Sequence, residues 1–338
     1  MNSFTKNIFA IAVIGPVFFI TTLHAQEVPI KFYGVLDAYV GSHKINGANT
    51  SAATALNSGG MTTSFWGLSG FEKINATLKV NFALEGFLLL DSGQGGRYTG
   101  DGMFSRSAYI GLSDQWGEVS VGRLTNPMYI MAAKSNPFGG STRLSPLVNQ
   151  NWIGAYGRNV VGDTAWSNSI SYSSPSFNGV KLASQYGRSE TGQQNMFAGL
   201  SYEQSPVSVQ VGLQSVEYGP GVKAEGKKQS SYFIGAASQI STIKIFATYL
   251  HASTPDTVKS NNLQLGLAVP VAKGTVMLSS ARTALNHHKT TNTHRLSSAL
   301  GYRHPLSKRT DVYAIYLHDK LSIADAGHNI ALGLRHAF

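Results

Sequence analysis

The chain has no cysteine in its 338 residues. That removes disulfide scaffolds, thiolate-bound zinc or iron–sulfur centres and cysteine nucleophiles together. Charge is also scarce: 13% of residues are Asp, Glu, Lys or Arg, against about 25% in a typical soluble domain. Acids are scarcest, 17 against 27 Lys and Arg, which leaves a formal net charge of +10. Only one long apolar run exists, at the extreme N-terminus, so a helical membrane protein with several spans is excluded. Disorder is excluded too, because 42% of residues are hydrophobic and disorder needs low hydrophobicity with high net charge. Something other than a charged surface must face the surroundings of this protein.

The apolar run reads as an export leader. Lys6 precedes Ile8 to Leu23, Pro16 interrupts the run, and Ala25 ends it. The expected division is therefore a signal peptide over 1–25 and one mature domain over 26–338. A membrane anchor is the alternative, and the short run with its proline argues against it. A basic exported chain meets anionic membrane surfaces or acidic solutes, and nucleic acid is not an expected partner there.

Beyond residue 26 the dominant period is two. Leu78, Val80, Phe82 and Leu84 alternate with Thr77, Lys79, Asn81 and Glu85; Val207 to Leu213, Leu263 to Val269 and Ile330 to Leu334 repeat the pattern. Such segments are strands with one apolar and one polar or small face. A soluble sandwich would alternate as well. Here the apolar faces recur with no helical segment to cover them, and the opposite faces carry Ser, Thr, Gln, Asn and Gly. Short connections alternate with long ones such as 44–60, 91–102 and 218–228, as in an outer-membrane barrel. The prolines after the leader fall at strand starts or in connections, consistent with their missing donor. The expected fold is all-β, a 16-stranded antiparallel transmembrane β-barrel. Fourteen or eighteen strands fit the length too, and Val276 to Leu285 and Asp311 to His318 mix their faces.

The longest stretch without alternation, Thr125 to Val160, holds three prolines, the pair Gly139-Gly140 and the apolar residues Met128, Tyr129, Ile130, Met131, Phe138 and Trp152. A long loop in a compact fold is usually functional. In a closed barrel this one has the lumen to pack in, where it would narrow a water-filled channel. It carries Lys134, Arg143 and Arg158 and no acid, with Arg106 and Arg123 nearby. These five are the expected pore-constriction residues. A constriction of one sign concentrates the opposite ion, so an anion preference is expected; pairing of these cations with Asp37, Glu72, Glu85 or Glu118 would weaken it. Asp37, Lys79, Glu85 and Phe65 are expected on the lumen wall. Phe338 is an aromatic with a free carboxylate at the end of an edge strand, the kind of terminus that strand addition by an assembly factor can read; an interfacial aromatic is the plainer role.

Other chemistry finds little support. Gly93 to Gly96 lacks the Lys and Ser/Thr of a phosphate loop, Gly67 to Gly70 lacks the spacing of a nucleophile elbow, and His287, His288 and His294 read as a solvated loop. No catalytic residue, metal or cofactor is expected.

Several segments together resemble the trimeric general porins of Gram-negative outer membranes. They are Phe32 to Ala38, Trp66 to Glu72, Leu84 to Phe87, Arg106 to Leu112, Gly117 to Arg123, Asn168 to Tyr172, Leu306 to Asp311 and Gly333 to Phe338. The resemblance implies a sixteen-stranded barrel in the outer membrane and a homotrimer latched by the loop near 91–102. It implies passive diffusion of small hydrophilic solutes and ions past an inward loop, with no enzyme activity. Its implied partners are outer-membrane lipids with lipopolysaccharide and the barrel-assembly machinery. Arg106 and Arg123 match family arginine positions. Phe65 and Ala165 stand where arginines are usual, and the loop lacks its usual acids, which opens the alternative of a channel selective for organic anions. A barrel enzyme and a closed adhesin are more distant rivals.

Overall fold

The computed structural model describes residues 29–44, 54–154, 158–219 and 226–338. The expected signal peptide, 1–25, lies outside the described residues. Strands β1 (Lys31–Lys44), β2 (Thr54–Ser58), β3 (Phe65–Lys73), β4 (Lys79–Phe87), β5 (Ser107–Asp114) and β6 (Gly117–Thr125) come first. Two helices follow, α1 (Pro127–Lys134) and α2 (Pro146–Trp152). Then come β7 (Ala165–Ser173), β8 (Val180–Arg188), β9 (Gln194–Gln204), β10 (Val207–Glu217), β11 (Lys228–Ile240) and β12 (Ile243–Thr254). Strands β13 (Val258–Val271), β14 (Gly274–His287), β15 (Thr293–Pro305), β16 (Thr310–Leu321) and β17 (Gly327–Ala337) complete the chain.

Every pairing is antiparallel, and β1 closes the sheet on β17 from Val35↔Ala337 to Lys44↔His328. The seventeen segments make sixteen staves. β2 and β3 lie along the same side of β1, Ser42↔Thr54 to Ala38↔Ser58 and then Val35↔Phe65 to Lys31↔Ser69, with residues 59–64 stepping out of the wall between them. Phe338 extends the seam: its N–H donates to the Gly34 carbonyl at 3.1 Å and its carboxylate oxygen accepts from the Gly34 N–H at 3.3 Å. A Cβ on Gly34 would stand 2.7 Å from the Phe338 ring, so the seam needs a glycine there.

The alternation sets the two faces. On β4, Val80, Phe82 and Leu84 face out while Lys79, Asn81, Ala83 and Glu85 face in. Ile110, Leu200, Leu213, Leu265 and Leu332 are exposed outward, an apolar belt that suits lipid. At one end all connections are short, down to the two residues of 205–206 and 272–273; the long ones, including 88–106 and 126–164, share the other end. By the rule for outer-membrane barrels the long end is extracellular. Strand β13 runs on past the alternating Leu263 to Val269 and ends at Val271, and Pro270 is tolerated near its end.

The mixed faces of β14 and β16 have a packing cause. Their inward residues Met277 and Ala281, and Tyr313, Ile315 and Leu317, are buried against the loop rather than wetted. At these positions the inward side is apolar, so strict alternation fails there.

Candidate functional site: the constricted lumen

Residues 126–154 and 158–164, between β6 and β7, leave the wall and fill part of the barrel. It starts as a helix because Asn126 accepts the Met128 N–H and Pro127 takes the first helical turn; Ser145 caps α2 in the same way ahead of Pro146. These helices were not expected from the sequence, although Asn-Pro and Ser-Pro are start signals.

The buried faces of both helices pack on the wall. Met128, Met131, Leu147, Trp152 and Val160 join Phe197, Val216, Phe233 and Leu250 in one cluster, and Phe138 and Leu144 join Met277, Ile315 and Leu317 in another. Each such side chain contributes about 1.5–3 kcal/mol by leaving water. Polar groups fix the register. The Gln150 amide donates to the Ala281 carbonyl at 2.9 Å and to the Ser297 hydroxyl at 2.7 Å, and its oxygen accepts from Asn262 at 2.8 Å. Asn159 donates to Thr283 at 3.1 Å. Beneath them Arg295 and Asp319 form a buried ion pair, Nε to Oδ1 2.7 Å. Tyr129 donates its hydroxyl to the Gly140 carbonyl at 2.6 Å, and burial pushes this phenol up to about 12, so it carries no charge at working pH.

The loop tip is latched to the seam. Asp37 is fully buried, and its carboxylate accepts from the Gly60 N–H at 3.1 Å, the Thr62 N–H at 2.7 Å and the Tyr313 hydroxyl at 2.6 Å. Ser141 of the loop donates to the Gly60 carbonyl at 2.6 Å. A Cβ on Gly60 would lie 2.0 Å from the Tyr313 oxygen. Asp37 thus holds the step between β2 and β3 in place and is shielded from the solution in the lumen.

The expected site residues separate into tied and open groups. Arg106 pairs with Glu85 and lies 3.9 Å above the Phe65 ring; Tyr33 donates to the other Glu85 oxygen at 2.6 Å. Phe65, expected from the resemblance to stand at an arginine position, thus supplies a face for Arg106. Arg123 sits at a bulge, where the register jumps between Gly122 and Leu124, and this turns it away from the outward row of Val119 and Val121. It donates to the Ser105 carbonyl at 2.6 Å and to Asp163 at 3.2 Å. Asp163 also takes a fork from Arg97, at 3.0 and 3.1 Å, and Arg97 holds Asp101 at 2.9 Å. Burial alone would raise the Asp163 carboxyl, but the bonds and charge of Arg97, with Arg123, hold it below the usual carboxylate range. Arg97 likewise holds Asp101 low against the effect of burial. Lys134 bonds Glu203 at 2.7 Å with both groups half in solvent. Arg143 and Arg158 are exposed, with no ion pair among the described residues, and Lys79 is exposed on the inward face of β4.

Sequence reasoning missed Asp163, which lies just past the expected end of the loop. It missed Arg97, Tyr313 and Gln150, whose partners are remote in the chain, and Lys181, an exposed inward cation on β8. A lumen pocket of about 420 Å³ brings Lys181 together with Arg106, Lys134, Glu85, Glu118 and Ile130.

A closed barrel of sixteen staves narrowed by an internal loop is a channel architecture, and residues 10–323 match the Gram-negative porin family. The chain belongs to that family. It is 26% identical to outer membrane porin protein 32 of Delftia acidovorans, over 91% of this chain and 94% of the relative. It is 24% identical to an outer membrane porin protein of Bordetella pertussis, over 92% of this chain and 95% of the relative. Among solved structures it is similar to an anion-selective porin from Comamonas acidovorans, with TM-score 0.78 and 24% identity, covering 92% of this chain and 100% of that one. A trimer form of OmpT from Vibrio cholerae has the same fold at TM-score 0.68 and 15% identity, covering 93% of this chain and 100% of that one. This porin is therefore an outer-membrane, non-enzymatic, channel-forming barrel, and porin relatives form trimers.

Proposed function

We propose that this porin is a trimeric, water-filled diffusion channel for small hydrophilic solutes that favours anions. The observation that carries the preference is a charge imbalance in the lumen. Of the acids facing the lumen or its loop, Glu85, Asp163, Asp311 and Asp319 are each tied to arginine, Glu203 is tied to Lys134, and Asp37 is sealed from water. Glu118, bonded by Ser120 at 2.9 Å, and the exposed Asp91, which shares the surroundings of Tyr39 with Arg143, are left. Arg143, Arg158, Lys79 and Lys181 have no ion-pair partner among the described residues. Open cations in a low-dielectric wall raise the local anion concentration. The anion selectivity named for the Comamonas acidovorans relative supports the same reading, and its counterpart in Vibrio cholerae supports the trimer. We take Arg106, Arg123, Lys134, Arg143 and Arg158 as the constriction set, with Arg143 and Arg158 the field-setting pair, and Phe338 as the terminus that the assembly machinery reads.

The test is a reversal potential across a planar bilayer in a KCl gradient. The expected sign is that of chloride, reduced in the double variant Arg143→Gln/Arg158→Gln. A potassium sign in the unaltered channel would refute the reading. Within it, Ile130 is 41% exposed beside Arg106 and Lys181, an apolar patch that favours organic over inorganic anions; block of chloride current by a small carboxylate would register it.

A further inference from the structure

We infer that His318 and His328 form a two-imidazole metal site that takes a late first-row divalent ion, copper(II) most tightly, and staples the last two strands of the barrel. The alternation of β16 turns Tyr313, Ile315, Leu317 and Asp319 inward, so His318 faces out between Tyr316 and Lys320. On β17 the buried Gly327, Asn329 and Ala331 face in, so His328 faces out. The register sets the two histidines directly opposite each other. Both lie near the end of the barrel that carries the long connections, where β16 stops and β17 starts. His328 is exposed and His318 half-buried, so water and ions reach the pair.

The spacing of the rings is that of two ligands on one ion. Their centroids are 5.0 Å apart and their planes meet at 43°, so they do not stack flat. A metal about 2.0–2.1 Å from an imidazole nitrogen lies roughly 3.2 Å from that ring's centre, and two rings sharing it at about 90–110° have centres roughly 4.5–5.2 Å apart. The observed spacing falls inside that range. The Tyr316 hydroxyl lies 2.7 Å from His328 Nδ1, which leaves Nε2 for the ion. With metal on Nε2, Nδ1–H donates to the Tyr316 oxygen, the kind of outer partner that orients a ligating imidazole. His318 makes no hydrogen bond among the described residues, so its ring is open to a ligand. The other outward imidazoles lie against different groups: His251 on Tyr232, His304 on Tyr302 and His336 on Thr310.

The donor set chooses the ion. Asp311 and Asp319 of β16 face inward and are bonded there, and no third histidine or carboxylate joins the pair among the described residues. Calcium and magnesium need several oxygen ligands and do not suit it. Imidazole nitrogen suits copper, nickel and zinc, with copper(II) bound most strongly. Lys320 is drawn off to the Ala324 carbonyl at 2.8 Å. Lys44 stands opposite His328 on β1, and its charge favours an ion held by bonds to nitrogen over one held by charge alone. A metal here ties the final hairpin beside the seam, where β17 closes on β1.

The test adds copper(II) chloride to the protein folded into phosphatidylcholine vesicles and reads copper bound per chain, the electron paramagnetic resonance spectrum and the unfolding midpoint in denaturant. The expected result is one ion per chain at saturation, hyperfine structure from two imidazole nitrogens and a raised midpoint. Free copper at 100 times its dissociation constant should raise the folded-to-unfolded ratio about 100-fold. His318→Gln and His328→Gln should each lose the two-nitrogen spectrum and the copper-dependent shift. Tyr316→Phe should weaken binding about tenfold, and His287→Gln/His288→Gln should leave the spectrum as it is. Absence of saturable copper binding in the unaltered protein would overturn the inference. So would a two-nitrogen spectrum that survives either single substitution, or one ion per three chains, which would mark a contact between copies. Channel conductance on the same samples reports that each variant is folded, and the inference stands or falls apart from the sign of the channel's ion preference.

Discussion

Truncating Phe138 should release the internal loop. Phe138 is fully buried between α1 and α2, packed with Leu144, Met277, Ile315 and Leu317. Removing a buried phenylalanine ring costs about 3–5 kcal/mol. The strand ladder does not depend on this ring, so the loss falls on the equilibrium between the seated and lifted loop, a local opening rather than global unfolding. At the lower bound the lifted population rises by about two orders of magnitude. The absence of native cysteine makes this measurable without background. Val148 in α2 is fully buried, so Val148→Cys provides a single hidden thiol. Its reaction with a membrane-impermeant thiol reagent, in vesicles at neutral pH, should be slow alone and about 100-fold faster with Phe138→Ala. Single-channel current should become larger or noisier in parallel. A labelling rate unchanged within experimental scatter would show that apolar packing does not seat the loop, and Phe138 would then have no part in setting the constriction.

Three further outcomes follow from the same geometry. Asp163 is held below the usual carboxylate range in the folded state, so its stabilisation is complete above the unfolded carboxylate range and is lost as pH falls through the depressed value. The tie between Arg97, Asp163 and Arg123 should therefore loosen only in acid; Asp163→Asn should remove that pH step in thermal unfolding and, by removing one acid and freeing Arg123 while Arg97 keeps Asp101, strengthen chloride preference at neutral pH. Glu85→Gln releases Arg106 and should move the reversal potential further toward chloride, while Arg106→Gln should move it back; equal and unchanged values in both would refute a role for the pair. Tyr313→Phe removes one donor from the buried Asp37 carboxylate and should lower stability by about 1.5–3 kcal/mol, read as a lower temperature of heat-induced unfolding in detergent. Gly60→Ala, whose methyl would strike the Tyr313 oxygen, should be at least as damaging.

The wall was largely legible in the sequence and the lumen only partly. Where a strand separates lipid from water, as in β4 and β10, the period of two is clean and both faces can be read. Where its inward side meets the loop, as at Met277 in β14 and Ile315 in β16, both faces are apolar and the signal is lost. The helices carried a start signal in Asn126-Pro127 and Ser145-Pro146, but at eight and seven residues they are too short for a hydrophobic period to declare them. Arg106 and Arg123 could be placed in the lumen region, yet not paired, because Asp163 lies beyond the stretch that lacks alternation and Glu85 is 21 residues from Arg106. The partners of Asp37 are the clearest miss. Its donors are backbone amides of a step in the wall and a tyrosine 276 residues away, and no local pattern encodes such a meeting.

The latch on Asp37 has a consequence for biogenesis. It draws on the first stave, the second, the sixteenth segment and the tip of the inner loop, so it cannot form until the two ends of the polypeptide have been joined. The bore is therefore gauged last. A chain still open at its seam would lack its sieve, and passage of oversized dyes would report unfinished cylinders before any spectroscopic sign of misfolding.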